Sequence, residues 1–389
     1  MSTLAAAETR IATRPTWAEV SLSKLRENFS AVEHHVGNGV TVCAVVKADA
    51  YGHGAVECAR ALQQEGAAWL GVTSLDEAIP LREAGIRTRI LLMTGFWRGE
   101  EVEIVRLRLT PTVWEAGQIE SLNRAAGSAP GFPIHLKVDT GMGRLGASME
   151  DLPAVCKLLQ GASNLLLGGI STHLASSEIL DAFSVQEQLR RFAQAQSLLR
   201  NAGLNPLLVH AANTSAVITR ADALYNMVRP GIALYGYHLP FERAGKEVTD
   251  KTTELGVNPV LQWKTRILSL RKMPANQALG YGGTYVTKSD AIIAVLPVGY
   301  ADGLNRQLSS RGRVIVRENY APIVGRVSMD LTLADVTGIR GVAVGDEVVL
   351  LGSSNKLTVD AREHANLANT TPYEILCSIS KRVPRKYLA

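Results

Sequence analysis

Several short apolar runs in the chain end in residues equipped for proton transfer or for holding an anion. Lys47 follows VTVCAVV, Lys137 and the segment Asp139–Arg144 follow PIHL, Thr172 and His173 follow LLLGGIS, and His210, Asn213 and Thr214 follow PLLV. Arg229 and Gly231 belong to MVRPG. A lysine emerging from a buried strand loses hydration, which disfavours its charged form and leaves a nucleophilic amine able to form a Schiff base with a carbonyl. The same position also suits a lysine that snorkels to water. His173 reads either as an acid–base group or as a strand-end histidine with satisfied hydrogen bonds. Arg229 can only donate, while RPG equally spells a turn before a strand. Asn213 and Thr214 fit a helix N-cap, a place where an anion can also rest.

Each of these residues closes an apolar run, and each run is followed by a segment of helical spacing. From about Val40 to Tyr237 the runs are TVCAVVKA, AWLGVTS, RILLMT, LRLTPTVW, PIHLKVDT, LLLGGIST, PLLVHAAN and MVRPGIALYG. Between them lie helix patterns such as GAVECARALQQEG and SVQEQLRRFAQAQSLLRNAG, several ended by a glycine where a C-cap belongs. Runs apolar on both faces are expected of parallel strands covered by helices. Eight such βα units predict an α/β fold with a (β/α)8 TIM-type barrel, an open doubly wound sheet being the alternative. Barrels carry their active sites at the C-terminal ends of the strands, where these polar residues stand.

After His238 the pattern becomes strand, turn and strand, as in VLQWKTRILSLRKM and GRVIVRENYAPIVGRVSMDLTLADV. The chain therefore reads as a barrel domain over residues 1–238 followed by a C-terminal all-β domain over 239–389. The polar, Gly-containing stretch from Glu242 to Asn258 reads as a linker or hairpin excursion, and PTWAEVSLS near the start fits either domain.

Composition narrows the function further. The chain has 389 residues, 46% apolar and 20% charged, enough for real cores, and its net charge of +5 is scattered rather than gathered into a stripe. Nucleic acid is not indicated as a partner. Cys43, Cys58, Cys156 and Cys377 stand far apart with no metal-ligand spacing, so free thiols in a reducing compartment are expected, and no metal. The opening MSTLAAAETRIATRPTW lacks the pattern of a secretory signal, and the apolar runs are of strand length, so no membrane association and a cytoplasmic location are expected. Gly141, Gly143 and Gly146 spell G-x-G-x-x-G, but the LLLGG that follows carries no acid for a ribose, so a dinucleotide site is not expected.

The blocks AVVKADAYGHG, KVDTGMGRLG, THLASSE, HAANTSA, RPGIALYG, LGYGGTY, PVGYADG, RVSMD and PYEILC stand in this order along the chain. In residues and order they resemble those of the alanine racemase family, and the resemblance covers nearly the whole chain. It implies pyridoxal 5'-phosphate held as a Schiff base on Lys47, whose freed amine then serves as the base on one face of the substrate. A single base on one face would regenerate the starting enantiomer, so inversion calls for a second. The resemblance gives that role to Tyr281, which on its own would read as a turn residue between glycines. A phenol with an ordinary pKa of about 10 needs nearby positive charge or donors, and the family supplies His173 and Arg229. Lys47 and Tyr281 meet across a subunit interface in the family, which implies a homodimer with shared active sites.

The resemblance also places Arg229 against the pyridine nitrogen. A guanidinium cannot accept the ring's proton, so the nitrogen stays unprotonated and side reactions of a delocalised carbanion are restrained. Phosphate contacts fall to Tyr51, Thr214, Gly231, Ile232 and Tyr373, with Asn213 beside them and glycine permitting close backbone approach. Arg144 would meet the cofactor's phenolic oxygen and the substrate carboxylate, oriented by Lys137 if that lysine is carbamylated. Met329 and Asp330 would receive the same carboxylate, and Tyr300 would line the pocket. The product, D-alanine, would supply peptidoglycan.

Some positions depart from the pattern. Thr214 replaces the usual serine, Glu178 stands where aspartate is typical, and Thr371 is smaller and more polar than the usual aliphatic residue. A smaller neighbour of Tyr373 would widen the substrate corridor, making serine a secondary substrate and a broad-specificity racemase the nearest alternative. A pyridoxal-dependent decarboxylase would be expected to carry an acid in place of Arg229. A non-catalytic cofactor carrier would lack the β domain with Tyr281 and Met329.

Overall fold

The computed structural model describes residues 14–128, 131–249 and 254–389. The opening residues 1–13, read above for a signal, and residues 250–253 of the expected linker lie outside the described residues.

A first strand, β1 (Thr16–Ser21), precedes eight strands that form one parallel sheet. These are β2 (Thr41–Val45), β3 (Trp69–Val72), β4 (Arg89–Leu92), β5 (Thr110–Val113), β6 (Phe132–Lys137), β7 (Leu165–Ser171), β8 (Leu208–His210) and β9 (Met227–Val228). They correspond one for one to the apolar runs of the sequence. Their spatial order runs continuously from β8 back to β2, with β9 on the other side of β2. A doubly wound sheet reverses its strand order, and this one does not. The sheet is a nearly closed barrel. At the seam between β8 and β9, Arg229 N donates to Ala212 O at 3.0 Å. The Asn226 amide supports the same seam, accepting from Val209 N at 2.7 Å and donating to Leu207 O at 2.7 Å.

Strands β3 and β5 are buried along their whole length, as parallel strands covered on both sides must be. Inside the barrel Cys43, Trp69, Leu91 and Met227 pack together with Met93 and Leu208 against them. The helices turn apolar stripes inward. In Leu22–Val36, for example, Leu25, Phe29, Val32 and Val36 are buried, and Ser21 Oγ caps the start by accepting from Lys24 N at 3.3 Å. Each such buried side chain contributes about 1.5–3 kcal/mol.

The barrel's compact unit runs from Ser21 to Val260, past the expected boundary at residue 238. The extra residues stay with the barrel for a local reason. A hairpin of β10 (Phe241–Arg243) and β11 (Lys246–Val248) turns at Ala244 and Gly245, both with positive φ, and Leu180 N donates to Glu242 O at 2.8 Å. Asn258 N then donates to Asn28 Oδ1 at 2.8 Å.

The second unit joins the segment through Val20 to Leu261–Lys386. Here β1 pairs antiparallel with β12 (Leu261–Arg266), so the PTWAEV part of PTWAEVSLS belongs with this unit, while Ser21–Ser23 open the barrel unit's first helix. Strands β13 (Ser269–Met273), β14 (Ala278–Leu279), β15 (Tyr285–Val286), β16 (Ala291–Leu296), β17 (Arg313–Val316), β18 (Asn319–Pro322), β19 (Thr332–Asp335), β20 (Glu347–Ser354), β21 (Leu357–Val359) and β22 (Arg385–Leu388) follow. They form a large sheet ordered β18-β17-β20-β12-β1-β22, with β21 on β20, a three-stranded sheet β13-β16-β19 and the hairpin β14-β15. The unit is β-rich rather than purely β, because helices Ala361–Ala368 and Pro372–Ser378 lie within it. Asp360 caps the first, its Oδ1 accepting from Glu363 N at 2.9 Å, and Pro372 opens the second.

Candidate active site

Within the barrel unit the structure collects Lys47, Lys137, Arg144, His173 and Arg229 at the C-terminal ends of the strands. The half-buried imidazole of His173 reports their convergence. Burial first, and then the positive charges of Arg229, Lys137, Arg144 and Lys47, push its pKa down to about 3. His173 is therefore neutral at physiological pH.

Arg229 is 8% exposed, and both terminal nitrogens of its guanidinium are bonded. Its Nη2 donates to Thr172 O at 2.7 Å and Ala211 O at 3.2 Å, and its Nη1 lies 2.5 Å from His210 Nδ1. Because a guanidinium only donates, His210 Nδ1 must accept, which leaves the proton of that ring on Nε2. Nε2 then donates to His135 Nδ1 at 2.9 Å. Both rings are held neutral: burial, with Arg229 adding to it, lowers His135 to about 3 and His210 well below its ordinary value. Burial also lowers Arg229 to about 10, still charged near neutrality.

His135 was not among the candidates, although it had a signal. It sits two positions before Lys137 in an apolar run, hence on the same strand face. Gly169, in register with it on β7, leaves room for its ring, since a β-carbon there would fall 2.7 Å from three ring atoms.

Lys137 is 9% exposed, and its pKa is pushed down to about 8. Burial is the main cause, followed by Arg229 and Arg144, with Asp139 opposing and Lys47 adding a little. Arg144 ends a loop wound about Asp139. The Asp139 carboxylate accepts from the backbone N–H of Gly141, Met142, Gly143 and Arg144 at 2.8–3.2 Å. Burial alone would raise its pKa, but these four bonds outweigh burial and hold it below the usual range. At Gly146 a β-carbon would stand 2.4 Å from Asp139 N. The G-x-G-x-x-G spacing thus closes a loop on a carboxylate, and the acid beside Lys137 and Arg144 is already occupied by backbone donors.

Lys47 itself begins an unusual turn. Ala48, Asp49 and Ala50 have φ of 51–54° and ψ of 47–49°, and Tyr51 has φ of 54°. Left-handed helical conformation costs L-residues about 1–2 kcal/mol each, so several kcal/mol are stored here. The turn carries Tyr51 back into the barrel unit, where it packs on Tyr235 with ring centroids 5.0 Å apart. A β-carbon on Gly231 would lie 2.1 Å from Tyr51 Oη, so only glycine allows this approach of phenol to backbone. Beside it the buried Thr214 hydroxyl accepts from Gly231 N at 3.0 Å and Ala233 N at 3.4 Å. Asn213 is the N-cap of Thr214–Thr219, its Oδ1 accepting from Ala216 N at 3.0 Å. Ile232, fully buried, opens the next short helix.

Five predicted residues belong to the second unit. Tyr281 is 73% exposed in a turn over which Arg326 lies, and a recess of about 370 Å³ is lined by Gly280, Tyr281, Arg326, Ser328, Leu331 and Leu333. The segments holding Tyr300 and Met329 are bonded together, Tyr300 N to Ser328 O at 3.0 Å and Ala301 N to Met329 O at 3.1 Å. An ion cluster fixes them: buried Asp302 pairs with Arg14 and Arg382, and Arg382 Nη2 pairs with Asp330 at 2.7 Å. Tyr373 lies in Pro372–Ser378, directly after the exposed N-cap Thr371. Glu178, half-buried, is in the barrel unit, its carbonyl accepting from Glu242 N at 2.9 Å.

The arrangement asks for an anionic ligand. Four cationic side chains surround one neutral imidazole, His173, and a hydroxyl, a phenol and backbone N–H groups converge at Gly231. A phosphorylated aldehyde that is attached through a lysine fits this donor set.

Comparison with known proteins agrees. Residues 20–239 match the N-terminal domain model of alanine racemase, and residues 260–387 match its C-terminal domain model. The alanine racemase of Sorangium cellulosum is 42% identical, over 96% of this chain and 99% of that one. The crystal structure of alanine racemase from Streptomyces lavendulae superposes with a TM-score of 0.88 at 32% identity, covering 97% of this chain and 98% of that one. Alanine racemase from Bartonella henselae, with covalently bound pyridoxal phosphate, superposes with a TM-score of 0.84 at 29% identity, over 97% of this chain and all 100% of its own. With both domain models matched in order and relatives aligned end to end, the chain belongs to the alanine racemase family.

Proposed function

We infer that the chain interconverts L- and D-alanine with pyridoxal 5'-phosphate, using Lys47 and Tyr281 as bases on opposite faces of the α-carbon. The observation that carries this reading is the convergence at the barrel mouth of Lys47, Lys137, Arg144 and Arg229 around neutral His173. When bound, the cofactor supplies an electron sink that acidifies the substrate's α-proton.

The chain's residues do the rest. Lys47 takes or returns a proton at its Nζ, and Tyr281 does so at its Oη. Arg229, held in place by His210 and two carbonyls, would offer the ring nitrogen a donor that cannot accept a proton from it, so the nitrogen would stay unprotonated. Tyr51, Thr214, Gly231 and Ile232, with Asn213 capping the helix, hold the phosphate, and Tyr373 joins them. Arg144, Met329 and Asp330 receive the carboxylate beside Tyr300. The active unit is a homodimer, each site combining Lys47 of one subunit with Tyr281 of the other. It works in the cytoplasm, in keeping with four free cysteines, and no helix among the described residues is long and apolar enough to cross a membrane.

Incubation of the holoenzyme with L-alanine in D2O tests the assignment. D-alanine carrying deuterium at the α-carbon is expected, whereas carbon dioxide release without D-alanine would mean decarboxylation. A Tyr281→Phe variant is expected to lose about 10²–10⁴ in racemisation while retaining exchange at the face served by Lys47, as loss of one general base requires. Equal loss of exchange at both faces would remove Tyr281 from its role.

Lys137 is a candidate for carbamylation, the unmodified amine being the alternative. Its amine, with a pKa of about 8, has a substantial neutral fraction near neutral pH. Attack of that amine on carbon dioxide forms the N–C bond and releases a proton, giving the anion beside Arg144 that the site lacks. Protein equilibrated with ¹³C-bicarbonate should show a carbamate resonance that disappears in Lys137→Arg, and absence of the signal in the parent protein would leave Lys137 a plain amine.

A further inference from the structure

Glu77 lies in the first turn of helix Leu75–Glu83, in no block that marked the sequence as functional. Its carboxylate nonetheless reaches the strand ends that carry the chemistry. Oε1 accepts from Ala48 N at 2.6 Å, and Oε2 accepts from Thr73 N at 2.7 Å and Thr73 Oγ1 at 2.9 Å. One side chain thus clamps together the C-terminal ends of β2 and β3. Lys47 is pinned from both sides, since Val46 N donates to Gly71 O at 2.9 Å and Ala48 N donates to Glu77. Ala48 is also the first residue of the left-handed turn, whose far end is tied by Asp49 Oδ1 accepting from Ala55 N at 2.7 Å.

We propose that Glu77 is a positioning residue for Lys47. It holds the entry to the left-handed turn, so that Lys47 and Tyr51 address the two ends of one bound cofactor. The proposal rests on the reading that Lys47 carries pyridoxal 5'-phosphate. A glutamate near a helix start would by itself be explained by interaction with the helix dipole. That role accounts for the bond to Thr73 N but not for the bond to Ala48 N. It also does not require two oxygens. Here both oxygens face N–H groups, so an amide in either orientation sets donor against donor.

The test compares the holoenzyme with Glu77→Gln, Thr73→Val and the double variant Glu77→Gln/Ala48→Gly. Cofactor dissociation, the pH dependence of the visible absorption of the lysine-bound cofactor, kcat, KM and thermal unfolding are read for each. Glu77→Gln is expected to bind cofactor about tenfold more weakly or worse, to shift the pH midpoint of the absorption and to lower kcat more than KM, because an amide sets donor against donor at Ala48 N or Thr73 N and frees the turn that carries Lys47. Thr73→Val, which leaves the Ala48 bond in place, should stay within about twofold of the parent enzyme. Ala48→Gly in the Glu77→Gln background should recover much of the loss, since glycine takes positive φ without strain. An unchanged spectrum and affinity in Glu77→Gln would overturn the proposal. So would equal losses with and without Ala48→Gly, the carboxylate then serving the helix alone. If Glu77→Gln does not fold, a Thr73→Val spectrum shifted as far as its stability falls would overturn it too. A parent protein that forms no absorbing adduct overturns the assignment of Lys47 first, and that control separates the two failures.

Discussion

A Lys47→Ala variant is expected to lose about four orders of magnitude or more in alanine racemisation, because it removes both the covalent anchor and one of two bases. The protein should stay folded, since the side chain lies at a strand end and the turn beyond it is tied by Glu77, Asp49 and backbone bonds. Visible absorption of the lysine-bound cofactor should vanish with the activity. The same variant reports on assembly. Mixed with Tyr281→Phe subunits after dissociation and reassociation, it should regain activity if each site draws Lys47 and Tyr281 from different subunits, because the hybrid dimer then contains one complete pair. No recovery on mixing, with hybrid dimers present, would place both bases in one subunit.

Acid is expected to unfold the protein early, and the cause lies in its buried histidines. His135 and His173 are lowered to about 3, His364 to about 4, and His210 well below its ordinary value, burial being the largest cause in each. Their folded pKa lies below the unfolded value, so between about pH 6.5 and 3 the unfolded chain binds the extra protons. Stability from these groups is complete above about pH 6.5 and falls as the pH drops through that window. At pH 5 His135, His173 and His364 each account for about 2 kcal/mol, so their sum is comparable with the 5–15 kcal/mol that holds a typical domain folded. Guanidinium denaturation of the cofactor-free protein should show a midpoint that drops steeply from pH 7 to pH 5. A flat midpoint over that range would mean that these rings are already charged in the folded state.

Much of the architecture is legible in the sequence because it rests on local rules. Eight apolar runs ended by polar residues correspond to eight parallel strands, and the residues at their ends collect at one mouth. What escaped depends on partners far away in the chain. PTWAEVSLS reads as a strand, but its choice of β12 is made by Thr16, whose hydroxyl bonds Thr265 at 2.8 Å across 249 positions. The left-handed turn after Lys47 contains no glycine before Gly52, so nothing in Ala-Asp-Ala-Tyr announces it. Only the clamps around it make that conformation affordable. Glu77 and His135 escaped for a related reason: each acts through another residue, Ala48 or His210, and single residues in helical or apolar segments do not reveal what they touch. The two helices of the second unit did leave signals, in Asp360 as a cap and Pro372 as a first residue, within a region whose strands dominate the pattern.

The first strand also sets an order of events on the ribosome. Trp17 and Val20 are buried in a sheet between β12 and β22, whose residues are made only after every barrel strand. At synthesis rates of roughly 5–20 residues per second, β1 waits on the order of ten seconds or more before its neighbour exists. Throughout that interval the nascent chain carries an apolar strand without its sheet partners while the barrel strands emerge after it. The first strand finds its partners last, so this unit is finished only after all eight barrel strands have been made.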